Sequence, residues 1–273
     1  MLVHLYNCCM NKNETKLILI LGGGDLASGV AAVLHRNGWH VVVSELPEPM
    51  VVRRKVAFAE AVWDGHQTVE EIHSVLAHDD EEVEAALLAG KVTVVVDPLA
   101  KITERLKFRA IVDARMLKWF HPNEIREDIP LIGLGPGFIA GDNCLAVIET
   151  NRGENLGKII WTGSAEQDTG VPGFVEGRGL ERVLYSPCNG TFNSYVEIGE
   201  LVTEGQLLAE VGGEAIVAPF DGLIRGMLRD GLTIKAHTKV GDVDPRKDIY
   251  LAAQISDKAL IAGQSVLKVL ESL

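Results

Sequence analysis

The chain has 273 residues, 47% hydrophobic and 23% charged, an ordinary composition for a soluble globular protein of one large or two modest domains. Its formal net charge of −12 argues against sequence-independent binding to nucleic acid or an anionic membrane, because both need a cationic face. No apolar run reaches the roughly 18 residues of a membrane-spanning helix. Four sparse cysteines without a CxxC pair predict a reduced, cytoplasmic protein, and the histidines lack the spacing of a zinc site.

The first informative stretch follows residues 1–15, which we interpret as a disordered leader. Residues 17–21 are all apolar, which is typical of a buried parallel strand. Glycines and a small residue then fit the G-x-G-x-x-G/A turn, which lets the backbone approach a pyrophosphate at a helix start. The predicted cofactor-binding residues of this turn are Gly22, Gly23, Gly24, Asp25, Leu26 and Ala27.

An acidic residue follows the next predicted strand, which covers residues 39–43. Glu45 stands 23 residues after Gly22, close to the place where an acid commonly accepts a hydrogen bond from a ribose 2′-hydroxyl. We therefore add Glu45 to the predicted cofactor-binding residues. The alternative is that the glycine turn makes a compact corner in an α/β domain that binds no nucleotide.

Alternating strands and helices, with helices predicted at residues 70–76 and 81–88, continue to about residue 150 and predict a parallel, doubly wound sheet. Two further predicted strands end in Asp97 and Asp113, and acids at the carboxyl ends of parallel strands can ring a pocket. The basic cluster at residues 53–55 has two interpretations, a clamp for a phosphate or carboxylate and a solvated helix face.

A second glycine-rich loop covers residues 133–141 and follows another apolar strand. Its predicted cofactor-binding residues are Gly135, Pro136, Gly137 and Phe138, because glycine allows the backbone to approach a ligand; a tight crossover between strands is the alternative. Cys144, at the end of this loop, is the candidate catalytic residue if its thiol is reactive, and a buried small hydrophobe otherwise. We expect the two glycine loops to line one pocket.

From residue 183 the chain becomes rich in short alternating strands, with an internal repeat at an offset of 32 residues. Two such halves resemble the barrel-sandwich hybrid of biotinyl and lipoyl domains, but the segment at residues 212–215 has no lysine to modify. The predicted domains are a Rossmann-like nucleotide-binding domain (16–182), a barrel-sandwich hybrid (183–250) and a C-terminal helix (251–273) packing on the first domain.

Several motifs in fixed order resemble the YqeB family along nearly the whole chain after residue 16. They are GGGDLASG (22–29), VRRKVAF (52–58), GPGF (135–138), VIETNRG (147–153), TGVPG (169–173), ERVL (181–184) and KVGDVDPR (239–246). The resemblance implies an accessory role for selenium-dependent molybdenum hydroxylases, in maturing the labile selenium or the molybdenum cofactor. It supplies no reaction and no catalytic residues.

Three functions follow as hypotheses. The first is a maturation factor that binds a small nucleotide ligand, such as the molybdenum-cofactor dinucleotide, and associates with a molybdenum hydroxylase or its maturation machinery. If the thiol of Cys144 is reactive, this factor carries sulfur or selenium on it. The second is an NAD-dependent oxidoreductase, for which Glu45 favours NAD over NADP because a carboxylate repels a 2′-phosphate. The third is a non-catalytic scaffold or docking protein. The sequence favours the first.

Overall fold

The computed structural model describes residues 16–118, 128–167, 170 and 173–273. The predicted leader (1–15) and all of the 169–173 motif except its two glycines lie outside these residues. The chain divides into two compact units. The first takes residues 1–49, 57–168 and 255–273, and the second takes residues 50–56 and 169–254.

A nine-stranded mixed sheet forms the centre of the first unit. Its spatial order is β3-β4-β5-β2-β1-β6-β7-β8-β9. The seven strands from β4 to β8 in this order pair in parallel, and the edge strands β3 and β9 pair antiparallel to their neighbours. The strands are β1 (Leu17–Leu21), β2 (His40–Glu45), β3 (His66–Val69), β4 (Ile72–Leu76), β5 (Val92–Val96), β6 (Ala110–Asp113), β7 (Leu131–Leu134), β8 (Ala146–Ile148) and β9 (Ile159–Ile160).

Among the described residues, four α-helices belong to this unit: α1 (Asp25–Arg36), α2 (Ala61–Asp64), α3 (Asp80–Leu88) and α4 (Asp257–Glu271). Helices α1 and α4 pack against each other. Gly29 makes this approach possible, because a Cβ at Gly29 would lie 2.3 Å from the Cβ of Ala259. Gly263 has the same function on α4, where a Cβ would lie 2.8 Å from Cγ2 of Val33. The C-terminal helix is thereby part of the first unit's core.

Two four-stranded antiparallel sheets form the second unit, with the orders β10-β17-β15-β12 and β14-β13-β11-β16. Residues 50–56 complete this unit: the Met227 N–H donates to the Val52 carbonyl at 2.8 Å. The strands are β10 (Val183–Tyr185), β11 (Gly190–Ser194), β12 (Leu201–Val202), β13 (Leu207–Val211), β14 (Glu214–Val217), β15 (Gly222–Met227), β16 (Thr233–Ile234) and β17 (Lys239–Asp244).

The predicted fold class, a Rossmann-like parallel sheet followed by a biotinyl/lipoyl-like barrel-sandwich hybrid, is wrong. The architecture is mixed α/β: the large sheet has antiparallel strands at both edges, and the second unit begins with residues 50–56, inside the range predicted for the first domain. A doubly wound sheet needs crossover helices, whereas the connections at residues 97–109 and 135–145 contain no α-helix. Runs of apolar residues indicate strands but do not reveal the direction in which an edge strand pairs.

Residues 70–76, predicted as a helix, form part of an antiparallel hairpin instead. Strand β3 pairs with β4 through a turn at Glu70, whose φ of +52° is compatible with a tight reversal. Ile72 is buried and His73 is exposed, as the two-residue period of a strand requires. Because β4 also pairs in parallel with β5, this segment forms a strand and not a helix.

Candidate functional site

The carboxyl ends of the parallel strands bring most of the predicted site residues to one edge of the first unit's sheet. Gly22 follows β1, Glu45 ends β2, Asp113 ends β6 and Gly135 follows β7. Because β2, β1, β6 and β7 are neighbours in that order, these residues lie side by side along the edge. We call this row the carboxyl edge.

The first glycine turn is held from behind by residues 58 and 59. The Ala59 N–H donates to the Gly23 carbonyl at 2.9 Å, and a Cβ at Gly23 would lie 2.8 Å from the Ala59 nitrogen. The Ser28 hydroxyl donates to the same carbonyl at 3.1 Å and accepts from the Phe58 N–H at 2.8 Å. Glycine at position 23 is therefore required by the packing of the protein itself.

Helix α1 starts at the carboxyl edge without a side-chain cap. Its N-cap is Gly24, with φ −67° and ψ −177°, which has no side chain to cap the helix. Among the described residues, no protein atom accepts a hydrogen bond from the backbone N–H groups of Gly24, Leu26 and Ala27. Such groups carry the positive end of the helix dipole and attract an anion or water.

Glu45 contacts the glycine turn directly. Its Oε2 accepts the Gly23 N–H at 2.6 Å and its Oε1 accepts the Leu46 N–H at 2.7 Å. Burial raises the pKa of this carboxyl, and the two backbone N–H groups oppose that rise by favouring the charged form. An ionised carboxylate has about four lone-pair positions, so roughly two remain for other donors.

An arginine that sequence reasoning missed lies over the turn. Arg115 donates to the fully buried Asp113 through Nε at 3.1 Å and through Nη2 at 2.7 Å, and the Arg115 N–H also donates to Asp113 at 3.1 Å. A Cβ at Gly22 would lie 3.3 Å from Cγ of Arg115. The sequence did contain a sign of this pair, because Asp113 ends a predicted strand and an arginine follows two residues later.

The second glycine loop is largely packed on itself. Phe138 is fully buried, and a Cβ at Gly133 would lie 2.2 Å from Cγ of its ring. The predicted ligand contact Phe138 is therefore a core side chain. Gly135 has φ +81° and packs against Thr150 and Met116, both within 3.2 Å of its built Cβ.

The two glycine loops flank residues 115 and 116 along the carboxyl edge. Arg115 contacts the first loop and Met116 contacts the second. Met116 has φ +57°, a conformation that costs a non-glycine residue about 1–2 kcal/mol. Backbone strain of this kind is concentrated at functional sites. That the two loops line one pocket stays a prediction.

Cys144 does not lie in an environment that ionises a thiol. It is half-buried, and desolvation raises the pKa of its thiol to about 11, with the charge of Asp142 adding to the rise. A hydrogen bond with the backbone of Gly133 acts in the other direction but is the smaller effect. At neutral pH the thiol is therefore protonated, whereas nucleophilic cysteines need the thiolate.

The predicted basic clamp serves the second unit. Arg53 is 8% exposed, and its Nη2 donates to the carbonyls of Leu251 and Gln254 at 3.1 and 3.0 Å. Arg54 donates through Nε to the carbonyl of Met227 at 2.8 Å. Both arginines thus donate to backbone carbonyls of residues distant in sequence, where the sequence had predicted donation to a phosphate, to a carboxylate or to solvent.

A cleft of about 470 Å³ extends the carboxyl edge beyond β2, at the ends of β4 and β5. Asp97 lines it and is anchored there, because its Oδ2 accepts the Ile102 N–H at 2.7 Å. Within the described ranges, no group of three or more His, Cys, Asp or Glu side chains is placed to hold a metal ion. Among the helices of the described residues, none is long and apolar enough to cross a membrane.

Comparison with known proteins finds no matching family model. Over 258 residues the chain is 42% identical to YqeB of Escherichia coli strain K12, described as an uncharacterized protein. The match covers 94% of this chain and 48% of that protein, so the chain spans about half the length of this relative.

Solved structures similar to this chain are distant. An aspartoacylase family protein from Mesorhizobium loti is 13% identical, with a TM-score of 0.27 and 84% and 85% of the two chains covered. A succinylglutamate desuccinylase from a Silicibacter species is 13% identical, with a TM-score of 0.25 and 84% of each chain covered. The ectoine utilization protein EutE from Ruegeria pomeroyi is 13% identical, with a TM-score of 0.23 and 83% and 56% covered.

Proposed function

We propose that this member of the YqeB family binds the phosphate-bearing part of a nucleotide ligand at the carboxyl edge and acts as an accessory protein for selenium-dependent molybdenum hydroxylases. The candidate ligands are NAD and the molybdenum-cofactor dinucleotide. The observation that carries the proposal is Arg115, which Asp113 holds over Gly22 beside the uncapped start of α1.

Anion binding follows from the two kinds of donor at this place. The N–H groups at the start of a helix and the positive end of its dipole favour a phosphate. A guanidinium adds planar donors that match phosphate oxygens. The bonds from Arg115 to the buried Asp113 limit the motion of the arginine, so binding a ligand would cost less side-chain entropy.

Glu45 restricts which phosphate-bearing ligands fit. Its carboxylate lies beside the turn, on the β2 side, and accepts hydrogen bonds from Gly23 and Leu46. A second anion placed there would be repelled, whereas a ribose hydroxyl could donate to the remaining lone pairs. This arrangement supports a ligand with a free ribose diol over one with a 2′-phosphate.

The accessory role rests on the family resemblance, and Cys144 decides only whether this chain itself carries sulfur or selenium. A protonated thiol with a pKa of about 11 does not support a carrier of sulfur or selenium at this position. The proposal therefore assigns to this chain the binding and presentation of a cofactor, with any chemistry performed by the partner hydroxylase or its maturation machinery.

Titration calorimetry with NAD⁺, NADP⁺, ATP, CTP and the molybdenum-cofactor dinucleotide tests the proposal. We expect one ligand to bind with micromolar affinity, and Arg115→Ala and Gly24→Asp to weaken it at least about tenfold. Arg246→Ala is the matched control, because Arg246 makes the same contacts to Asp244 in the second unit. Equal binding by wild type and Arg115→Ala, or no binding at millimolar concentration, would overturn phosphate binding at this edge.

Association with a hydroxylase is tested separately. The wild-type chain and Arg115→Ala are each mixed with a purified selenium-dependent molybdenum hydroxylase and analysed by size-exclusion chromatography with and without the ligand found above. We expect a complex with the wild-type chain. Failure to form it under either condition would remove the accessory role and leave nucleotide binding standing.

A further inference from the structure

The cleft at the ends of β4 and β5 is built from aliphatic walls and a rim of charges of both signs. Val83, Val95 and Ile102 are buried and form apolar wall surface. Helix α3 begins on one side of the cleft and the 3₁₀ turn Lys101–Glu104 lies on the other. The charged residues of the lining include Asp79, Asp97, Lys101 and Arg105.

Several rim groups are held in place by the protein. Asp79 caps α3 by accepting the Glu82 N–H at 2.9 Å, and Arg105 pairs with Asp80 at 2.8 Å. Lys101 makes no ion pair within the described residues and is exposed on the rim. A ligand here meets carboxylate acceptors and cationic donors together, which disfavours a simple anion and suits a ring that carries both donors and acceptors.

The cleft lies at a fixed distance from the first glycine turn, because both belong to one row of the sheet. Leu21 pairs with Ser44, and Ser44 pairs with Val95. Neighbouring strands are about 4.8 Å apart, so the turn after β1 and the end of β5 are separated by about 10 Å. Glu45 at the end of β2 lies between them, in register with Val96.

We propose that this cleft binds the heterocyclic base of the nucleotide whose phosphate binds at the first glycine turn. The inference rests on the proposed function. A phosphate at Gly24, a ribose beside Glu45 and a base between Val83 and Val95 follow the carboxyl edge in the order in which these groups are bonded. The aliphatic walls contact the faces of the ring, while Asp97 and Lys101 face its polar edge. A volume of about 470 Å³ is in the range of small-ligand pockets.

Separate titrations with the two halves of the ligand test this placement. Adenosine, cytidine and guanosine probe the cleft without a phosphate, and inorganic pyrophosphate probes the glycine turn without a base. We expect one nucleoside to bind and Lys101→Glu to weaken it at least fivefold, while pyrophosphate binding changes less than twofold. Lys107→Glu, an equal charge change at an exposed lysine outside the cleft, should change neither affinity.

A pair of tryptophan substitutions locates the base independently. Val96 lines the cleft, whereas Leu99, three residues further on, is exposed and does not. Val96→Trp should change the nucleoside dissociation constant at least fivefold in either direction, because the indole fills the cleft or stacks on the base, and Leu99→Trp should not.

The outcomes separate the two proposals. Pyrophosphate binding that depends on Arg115, without any nucleoside binding, would overturn the base site and leave the proposed function intact. Nucleoside binding that is insensitive to Lys101→Glu and Val96→Trp would place the base elsewhere and also overturn it. Nucleoside binding at the cleft without pyrophosphate binding would support the base site and contradict phosphate binding at the turn.

Discussion

Replacing Asp113 by asparagine should loosen Arg115 from the carboxyl edge and destabilise the first unit. Asp113 is fully buried and receives hydrogen bonds from Nε, Nη2 and the backbone N–H of Arg115. Hydrogen bonds to a charged group contribute about 1.5–3 kcal/mol. The Arg115 side chain is 22% exposed and can reach water after the change, so we expect a loss of about 2 kcal/mol of unfolding free energy.

Asp244→Asn is the matched control for this prediction. Asp244 is also fully buried, and Arg246 donates to it at 3.1, 2.9 and 2.6 Å through the same three groups. Arg246 holds the pKa of the Asp244 carboxyl below its ordinary value against the effect of burial. The two substitutions therefore remove similar contacts to an arginine two residues later from different units, and Asp244→Asn also weakens a longer ion pair, 3.7 Å, with Nε of Arg225.

Urea unfolding followed by two signals distinguishes the variants. All four tryptophans of the sequence fall within the ranges of the first unit, so their fluorescence reports on that unit, whereas far-UV circular dichroism reports on both. Asp113→Asn should lower the fluorescence midpoint and weaken ligand binding about tenfold. Asp244→Asn should lower only the circular dichroism midpoint. An unchanged fluorescence midpoint in Asp113→Asn, or equal loss of ligand binding in both variants, would refute this account of Arg115.

Three further predictions follow from single contacts. Gly133→Ala should cost about 1–3 kcal/mol in urea unfolding, because the added methyl overlaps the buried ring of Phe138; an unchanged midpoint would contradict that packing. Burial raises the pKa of the Glu45 carboxyl, so its ionisation costs more free energy in the folded state than in the unfolded state. The unfolding free energy of wild type relative to Glu45→Gln should therefore fall as the pH rises above about 4.5, and level off above the folded-state pKa. A rise in this difference over the same pH range would contradict the prediction. Alkylation of Cys144, followed by mass spectrometry, should accelerate about tenfold per pH unit from pH 7 to 9.5, and a plateau below pH 9 would show a more acidic thiol than one with a pKa of about 11.

Acids at the strand ends have a shared structural function that their sequence positions did not reveal. Glu45, Asp97, Asp113 and Glu149 each accept backbone N–H groups from the connections that follow the strands. A buried carboxylate that accepts such bonds satisfies donors that would otherwise be lost in the core. Only at Glu45 does the same carboxylate also contact a predicted phosphate-binding residue, Gly23. This contact distinguishes Glu45 from the other three acids as a candidate ligand contact.

Local patterns in the sequence were sufficient for the elements that lead to the carboxyl edge. Five consecutive apolar residues predicted β1, and the glycine turn after them predicted the start of a helix, because each signal is contiguous in the sequence. Ordered motifs also pointed to the relative that comparison finds, YqeB, with 42% identity over 94% of this chain and 48% of that protein. The position of the glycine turn could also be predicted, because its residues are contiguous in the sequence.

Tertiary structure decided everything that depends on residues distant along the chain. The sequence could not show that Ala59 closes the back of the glycine turn, that Arg53 donates to carbonyls near residue 251, or that Phe138 is a core side chain. It also could not give the pairing direction of β3 and β9, on which the mixed sheet depends. Propensity and periodicity act over a few neighbouring residues, whereas hydrogen-bond partners, burial and strand neighbours are selected among all segments that fold together.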